Sequence, residues 1–173
     1  MKHSKTDKMS ERIHHRCHCL SRDFTFQEWV EYLKDKAHDS AEIVFRFGDF
    51  GFNVHDVCMT PHVPVKLIVD ARFYISVRTA QSPNGRWTVG NNYGLGTGGG
   101  SCPVAFTDRD DSGFPTEREA VAHMLQRFME ACKRELDRTG LEEDDIRRAN
   151  IKKLMKLVDD AIERWDPRQL TLF

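Results

Sequence analysis

The spacing of the apolar residues changes twice along the chain, and this change constrains the fold more than any other feature. Residues 24–37 and 115–166 repeat their apolar side chains at helical spacing. Residues 41–106 instead form short runs rich in β-branched and aromatic types, separated by Gly, Pro, Asn and Asp. This order predicts an α+β domain with an N-terminal helix, an antiparallel meander of about four to five strands, and two C-terminal helices packed on one sheet face.

The clearest strand connection is the turn SPNG between residues 73–79 and 86–93. Its Asn84 and Gly85 tolerate positive φ, so the sequence predicts an antiparallel hairpin here. Apolar and polar residues alternate along the first strand of this hairpin, as expected when only one face is buried, and helices should cover that face. The segments predicted as strands are EIVFRF, FNVHDV, VKLIVD, FYISVRT and RWTVGNNY.

Capping boxes predict the starts of two helices. Thr25 with Glu28 precedes the first helical pattern, and Thr116 with Glu119 precedes the second. The first helix is expected to pack on the core. The second should end at Gly140. Its predicted buried stripe is Val121, Met124, Leu125, Phe128 and Cys132.

The last helical pattern follows Gly140 and has acidic residues in its first turn, where the helix dipole favours them. Its charged residues are spaced for pairing at i, i+4, so a solvated face explains them without a partner. The expected pairs are Glu143 with Arg147, Asp144 with Arg148, and Lys156 with Asp160. The predicted apolar stripe is Ile146, Leu154, Leu157, Val158, Ala161 and Trp165.

Charge divides the chain into a basic arm and an acidic body. Residues 1–22 contain six Lys or Arg and two carboxylates, a net charge of +4, so the other residues carry −5 of the total of −1. We interpret residues 1–22 as a flexible arm that contains His and Cys, residues 23–166 as one α+β domain, and residues 167–173 as an extended tail. An arm of this charge could contact phosphates, or it could simply be solvated.

The distribution of apolar residues and cysteines predicts a cytoplasmic protein. No uninterrupted apolar run approaches the length that spans a membrane, and the basic start lacks the apolar stretch of a signal peptide. The five cysteines are odd in number and unevenly spaced, which favours reduced thiols over a disulfide framework.

His55, Cys58 and His62 in HDVCMTPH have a spacing that zinc ligands could use. Cys17 and Cys19 of the arm could complete such a site, although the paired CxxC spacing typical of zinc sites is missing. A thiol enzyme is the related alternative, with Cys58 as nucleophile and a neighbouring histidine as base, or with Cys102 as nucleophile. Buried cysteines more often act as small apolar residues. The sequence therefore favours a non-enzymatic protein without a required cofactor.

The stretch GLGTGGGS contains a formal G-x-G-x-x-G in Gly94, Gly96 and Gly99. A dinucleotide site needs this loop to lead directly into a helix, whereas here Pro and Gly residues follow before any helix begins. The interpretation is a flexible flap or a strand connection. The nearby acidic residues Asp108, Asp110 and Asp111 are interpreted as a polar turn.

The predicted order of helix, strands and helix also resembles that of double-stranded-RNA-binding modules. The resemblance is one of topology alone, because the second helix begins with Glu117 and Glu119 where a phosphate-binding module would carry lysines. A nucleic-acid-binding module that uses the basic arm and exposed aromatic residues such as Tyr74 remains an alternative function.

The sequence closes with QLTLF, after a proline that ends the last helix. This pentapeptide resembles the peptides by which bacterial DNA replication and repair proteins bind the β sliding clamp. That family has a Gln, an aliphatic Leu, a small or polar residue and a Leu-Phe pair. Every position matches: Gln169, Leu170, Thr171, Leu172 and Phe173.

The resemblance implies a partner and a role. Leu172 and Phe173 would enter the hydrophobic pocket of the clamp, Leu170 would add apolar contact, and the Gln169 amide would hydrogen-bond nearby. The expected function is that of an accessory protein recruited to the clamp in DNA replication, repair or mobile-element maintenance, with DNA as a further partner and no membrane partner. Residues 82–121 also resemble uncharacterised small proteins of bacterial mobile elements. The alternative is that the tail folds back on its own domain.

Overall fold

A computed structural model describes residues 26–37, 39–82, 84–105, 112–138, 145–166 and 168. These residues form helices and two antiparallel sheets, which confirms the predicted α+β class. The helices are α1 (Phe26–Lys36), α2 (Glu117–Arg138) and α3 (Asp145–Trp165). The strands are β1 (Phe45–Phe47), β2 (Phe50–Phe52), β3 (His62–Asp70), β4 (Phe73–Gln81), β5 (Trp87–Leu95) and β6 (Gly99–Cys102).

The larger sheet has four antiparallel strands in the order β3-β4-β5-β6. The register between β4 and β5 begins at Gln81 opposite Trp87, which confirms the predicted hairpin. Gly85 in its turn has a φ of 79°, a conformation that glycine adopts without steric cost. Pro83 lies outside the described residues.

The core lies between the four-stranded sheet and helices α2 and α3. Phe73, Ile75 and Val77 of β4 are buried on the helix-facing side, and they alternate with half-buried residues on the other side, as predicted. The predicted stripe of α2 is buried throughout and packs in the same cluster. Two helices therefore cover one face of the sheet, as expected from the one-sided alternation.

Helix α3 packs on the core through a stripe that differs at its start from the predicted one. Leu154, Val158 and Ala161 are buried as expected. The prediction for Ile146 was wrong, because its side chain is 72% exposed, whereas Ile151 is fully buried. Ile146 lies in the first turn of α3, beside the start of β4 and the turn after β5 but outside the core, so helical spacing alone did not identify the buried residue.

The segment FNVHDV was predicted as a strand, but only Phe52 at its start is in β2. Asn53 turns the chain instead. Its Oδ1 accepts hydrogen bonds from the backbone N–H groups of His55 (2.9 Å) and Val57 (3.0 Å). A side-chain amide that bonds its own backbone in this way competes with strand pairing. The prediction of a strand over residues 53–57 was therefore wrong.

The glycine-rich stretch is a tight hairpin that adds the short strand β6. The Leu95 N–H donates to the Gly98 carbonyl (2.7 Å), and Gly96 has a φ of 90° in the two-residue turn. A Cβ at Gly99 would lie 2.5 Å from the Tyr93 carbonyl oxygen, so only glycine fits the strand contact. The stretch does not lead into a helix, because α2 begins only at Glu117.

A second, smaller cluster lies at the end of the four-stranded sheet where β4 turns into β5. It joins the two-stranded sheet of β1 and β2 to Ala80 of β4 and to Val104. Helix α1 packs against this cluster through Leu33, and Lys34 pairs with Asp56 (Nζ to Oδ1, 2.7 Å). The first helix was expected to pack on the core. It packs on this second cluster and not on the larger one. Its predicted cap at Thr25 lies outside the described residues.

The capping box at the start of α2 is confirmed. The Glu119 N–H donates to Thr116 Oγ1 (3.1 Å), and Glu119 Oε2 accepts from the Thr116 N–H (3.1 Å).

None of the helices among the described residues is both long enough and apolar enough to cross a membrane.

The charges of α3 contact the neighbouring helix. Arg147 forms an ion pair with Glu135 of α2, and Arg148 Nη1 donates to the Leu136 carbonyl (3.1 Å). These contacts join α3 to α2, so the charged residues of α3 do not pair only with one another. The acidic residues expected to pair with these two arginines, Glu143 and Asp144, lie outside the described residues, as does Gly140.

The contrast between Ile151 and Ile146 gives a matched test of the core. We expect Ile151→Ala to lower the free energy of unfolding by about 2–5 kcal/mol, because it leaves a cavity in a close-packed core. Ile146→Ala, the same change at an exposed position, should cost less than about 0.5 kcal/mol. Urea denaturation of both variants measures the difference. Equal losses would contradict the placement of α3.

Candidate functional site

The end of helix α3, from which the QLTLF segment continues, is anchored to the start of α2. Arg118 Nη1 donates to the carbonyl oxygens of Arg164 (2.8 Å) and Asp166 (3.2 Å). Its guanidinium carbon lies 5.8 Å from the centre of the Trp165 ring. These bonds satisfy carbonyl groups that the end of a helix leaves without partners.

A second contact orders the backbone just after α3. Arg168 donates from Nη2 to Asp166 Oδ2 (2.8 Å), and the Arg168 N–H donates to Asp166 Oδ1 (2.9 Å). These hydrogen bonds from Arg168 lower the pKa of the Asp166 carboxyl to about 2, and they raise the pKa of Arg168 itself. The predicted clamp-binding residues Gln169, Leu170, Thr171, Leu172 and Phe173 lie outside the described residues.

The structure places the three predicted zinc ligands in different surroundings. His55 is exposed in the turn after β2, Cys58 is buried in the second cluster, and His62 begins β3. Across the part of the chain that the structure describes, no group of three or more His, Cys, Asp or Glu side chains is placed to hold a metal ion. Cys17 and Cys19, proposed as further ligands, lie outside it.

The environment of Cys58 is unlike that of a nucleophilic thiol. Burial raises its pKa, and hydrogen bonds involving Thr60 and Gly51 offset only part of this effect. A nucleophilic cysteine needs the opposite shift, because the thiolate is the reactive form. Cys132 is also buried and has a pKa raised to about 11, whereas Cys102 is exposed on β6.

His62 contacts a carboxylate on α2. Its Nδ1 lies 3.3 Å from Glu117 Oε1, and the same oxygen accepts a hydrogen bond from the buried hydroxyl of Thr79 (2.6 Å). The His62 ring also packs on Phe50, with ring centres 4.7 Å apart. These contacts join β3, β4 and α2, so they explain His62 and Glu117 as structural residues.

A groove of about 540 Å³ lies between α2 and the β5–β6 hairpin. Asn91 and Tyr93 of β5 form its floor on the helix-facing side of the sheet, beside Gly100 and Cys102 of β6. Helix α2 forms the wall, and Phe114 lies at one end. The Phe114 and Trp87 backbones exchange two hydrogen bonds of 2.8 Å, which hold that end against β5. The residues that α2 contributes are His123, Met124, Arg127, Phe128, Ala131 and Arg134.

The polar lining of this groove is cationic. Arg127 and Arg134 are exposed, and neither guanidinium has a hydrogen bond or an ion pair within the described residues. No Asp or Glu is among the described residues that line the groove. The floor and wall add aromatic and apolar surface, including Tyr93, whose ring packs edge-on against Phe128 with centres 5.5 Å apart. The groove therefore suits an anion with an aromatic or apolar part.

Sequence reasoning did not identify the groove, although one signal for it exists. His123, Arg127 and Arg134 lie on one stripe of α2, directly beside the buried stripe, because they are separated by one and two helical turns. A groove forms beside this stripe because β5 and β6 lie next to α2 there. The pairing of Tyr93 with Gly100 places a residue without a side chain there.

Comparison of the chain with protein-family models, with curated proteins and with solved structures finds no match.

Thiol reactivity tests the assignment of the cysteines. We expect native protein to react with a thiol reagent rapidly at Cys102 and slowly at Cys58 and Cys132, because burial disfavours the thiolate. For Cys132, a shift from 9.0 to about 11 lowers the thiolate fraction about 100-fold near neutral pH. Peptide mapping by mass spectrometry reports each site separately, and labelling in urea is the control. Fast native labelling of Cys58 would restore the thiol-enzyme hypothesis.

The ion pair after α3 predicts a pH dependence. Because the folded pKa of Asp166 is depressed, its contribution to stability is present above about pH 4 and is lost as the pH falls towards 2. An NMR titration should place the carboxyl midpoint near 2, and Arg168→Ala should return it towards 3.8. Arg127→Ala, which removes a remote arginine, should leave the midpoint unchanged. An unchanged midpoint in Arg168→Ala would contradict the assigned cause.

Proposed function

We propose that this protein is a non-enzymatic accessory protein of the bacterial cytoplasm that is recruited to the DNA sliding clamp through residues 169–173. It acts there in DNA replication, repair or mobile-element maintenance. The proposal comes from the agreement of QLTLF with the clamp-binding peptides at every position. The observation that supports it in the structure is the anchored end of α3, from which these residues continue.

The residue types suit recognition of a short peptide by an apolar pocket. Leu172 and Phe173 are the anchors, Leu170 adds a third apolar contact, and the Gln169 amide provides hydrogen bonds that set the register. Thr171 is the position at which the family accepts any small or polar residue. The pattern therefore assigns most of the binding energy to the three apolar side chains and little to Thr171.

The expected affinity is modest. Burial of each apolar side chain contributes about 1.5–3 kcal/mol, while ordering the peptide costs about 1–2 kcal/mol per residue before hydrogen bonds offset part of that cost. Because these two quantities nearly cancel, the net gain depends on the hydrogen bonds and is modest, so we expect a Kd on the order of micromolar or weaker. Such a segment recruits the protein reversibly, and contact of the body with DNA would strengthen the complex through effective concentration.

The anchoring of α3 supports a role for the residues beyond it. Arg118 joins the helix end to the first turn of α2, and Arg168 is bonded to Asp166, so the residues that precede the segment in sequence are held in place. Arg168 itself is 89% exposed at its side chain, so this part of the chain is on the surface. A partner that takes residues 169–173 would therefore meet the peptide at the surface of the domain.

Binding to purified bacterial β clamp tests the proposal. The intact protein should bind with a Kd on the order of micromolar, measured by surface plasmon resonance. The double variant Leu172→Ala, Phe173→Ala should weaken binding more than about 100-fold, because it removes both anchors. Thr171→Ala changes a neighbouring residue of the same segment and should bind like the intact protein, which makes it the matched control.

Two outcomes would overturn the proposal. The first is the absence of clamp binding by the intact protein at high micromolar concentration. The second is a large loss of thermal stability when residues 169–173 are deleted, because that loss would mean that Leu170, Leu172 and Phe173 are buried against their own domain. A recruitment segment should be removable without a change in Tm.

A further inference from the structure

We propose that the groove between α2 and the β5–β6 hairpin binds single-stranded nucleic acid. The first argument is charge. Arg127 and Arg134 present guanidinium groups at the groove that have no partner among the described residues, and none of the described residues that line it is a carboxylate. The whole chain has a net charge of −1, so a groove with this lining is a local feature and does not reflect a basic protein.

The second argument is the spacing of the two arginines. They are seven residues apart on α2, which places their Cα atoms about 10 Å apart along the helix axis and on the same side of the helix. Guanidinium groups at this separation can contact different phosphates of one strand. A linear polyanion that follows the helix satisfies both, whereas a single small anion would contact only one.

The third argument is the aromatic surface between and beside these charges. Tyr93 in the floor and Phe114 at one end are both half-buried, so each ring keeps exposed surface towards the groove. Nucleic-acid bases stack on aromatic side chains without regard to sequence, because every base has a π-face. His123, whose ring centre lies 5.1 Å from that of Phe114, extends this surface.

The geometry favours a nucleic acid over an acidic peptide. A peptide that adds to a sheet bonds the backbone groups of the edge strand, which point outward in the plane of the sheet. The floor of this groove is instead the sheet face, formed by side chains of β5, the second strand from that edge. Its Asn91 amide donates to Met124 Sδ (3.6 Å), so the floor offers rings and amides rather than free backbone groups.

This inference does not depend on the proposed clamp binding, and its test keeps the two separate. A labelled oligothymidylate of about 12 nucleotides is titrated with the full chain, and fluorescence anisotropy is measured over a series of salt concentrations. The double variant Arg127→Gln, Arg134→Gln should bind at least about tenfold more weakly. The slope of log K against log salt should fall by about 1.4, because each contact to a single-strand phosphate contributes about 0.7.

Lys133→Gln provides the matched control, since it removes one positive charge from an exposed residue of the same helix that does not line the groove. It should retain wild-type binding. A Tyr93→Leu variant should weaken binding about 5- to 100-fold, because base stacking is lost. The slope of log K against log salt should not change, because this variant removes no phosphate contact. The basic residues 1–22 are present in every variant, so their contribution cancels in each comparison.

The outcomes separate clearly. A chain that lacks residues 169–173 should bind the oligonucleotide like the intact chain, even if clamp binding is lost. The inference is overturned if the double arginine variant and Lys133→Gln bind equally well. It is also overturned if the intact chain fails to bind the oligonucleotide at low salt, or if an acidic peptide binds in an arginine-dependent way and the oligonucleotide does not.

Discussion

Strand β4 is the constraint on which the rest of the structure depends, because side chains pack against it from both faces. Ile75 and Val77 are fully buried beneath the two long helices, and Ala80 on the opposite face is fully buried in the second cluster. A strand with apolar contacts on both sides must keep its register, since a shift of one residue would exchange the two sets of side chains. Helices α2 and α3 pack on one face of β4, and Ala80 on the other face joins the cluster that contains the two-stranded sheet.

The parts of the fold that were predictable from the sequence are those in which local signals agree with the tertiary contacts. In α2 the Thr116 capping box, the apolar stripe and the helix all coincide. The β4–β5 hairpin was predictable because Gly85 permits its turn and apolar and polar residues alternate from Phe73 to Arg78 on β4. In both cases the cap or turn adjoins regularly spaced apolar residues that form the core.

The failures have physical causes that are not visible in residue spacing. Ile146 and Ile151 are both apolar residues of α3, and only the position of the sheet decides which is buried. The Asn53 side chain accepts hydrogen bonds from the backbone N–H groups of His55 and Val57, in a segment whose residue types had indicated a strand. Strand β6 was missed because glycine has a low strand propensity, although close backbone contact requires glycine there. The groove was missed because it forms only where α2 packs beside the β5–β6 hairpin, a tertiary arrangement that residue spacing does not show.

The contacts of Arg118 also bear on the range over which a recruited partner could be held. They fix the end of α3, after which residues 169–173 follow in sequence, against the first turn of α2. Five residues reach at most about 17 Å, even when fully extended. A protein bound to that segment would therefore lie close to the end of α3. Because α3 packs over β3 and β4 whereas the groove lies at β5 and β6, helix α2 would stand between this protein and a strand in the groove.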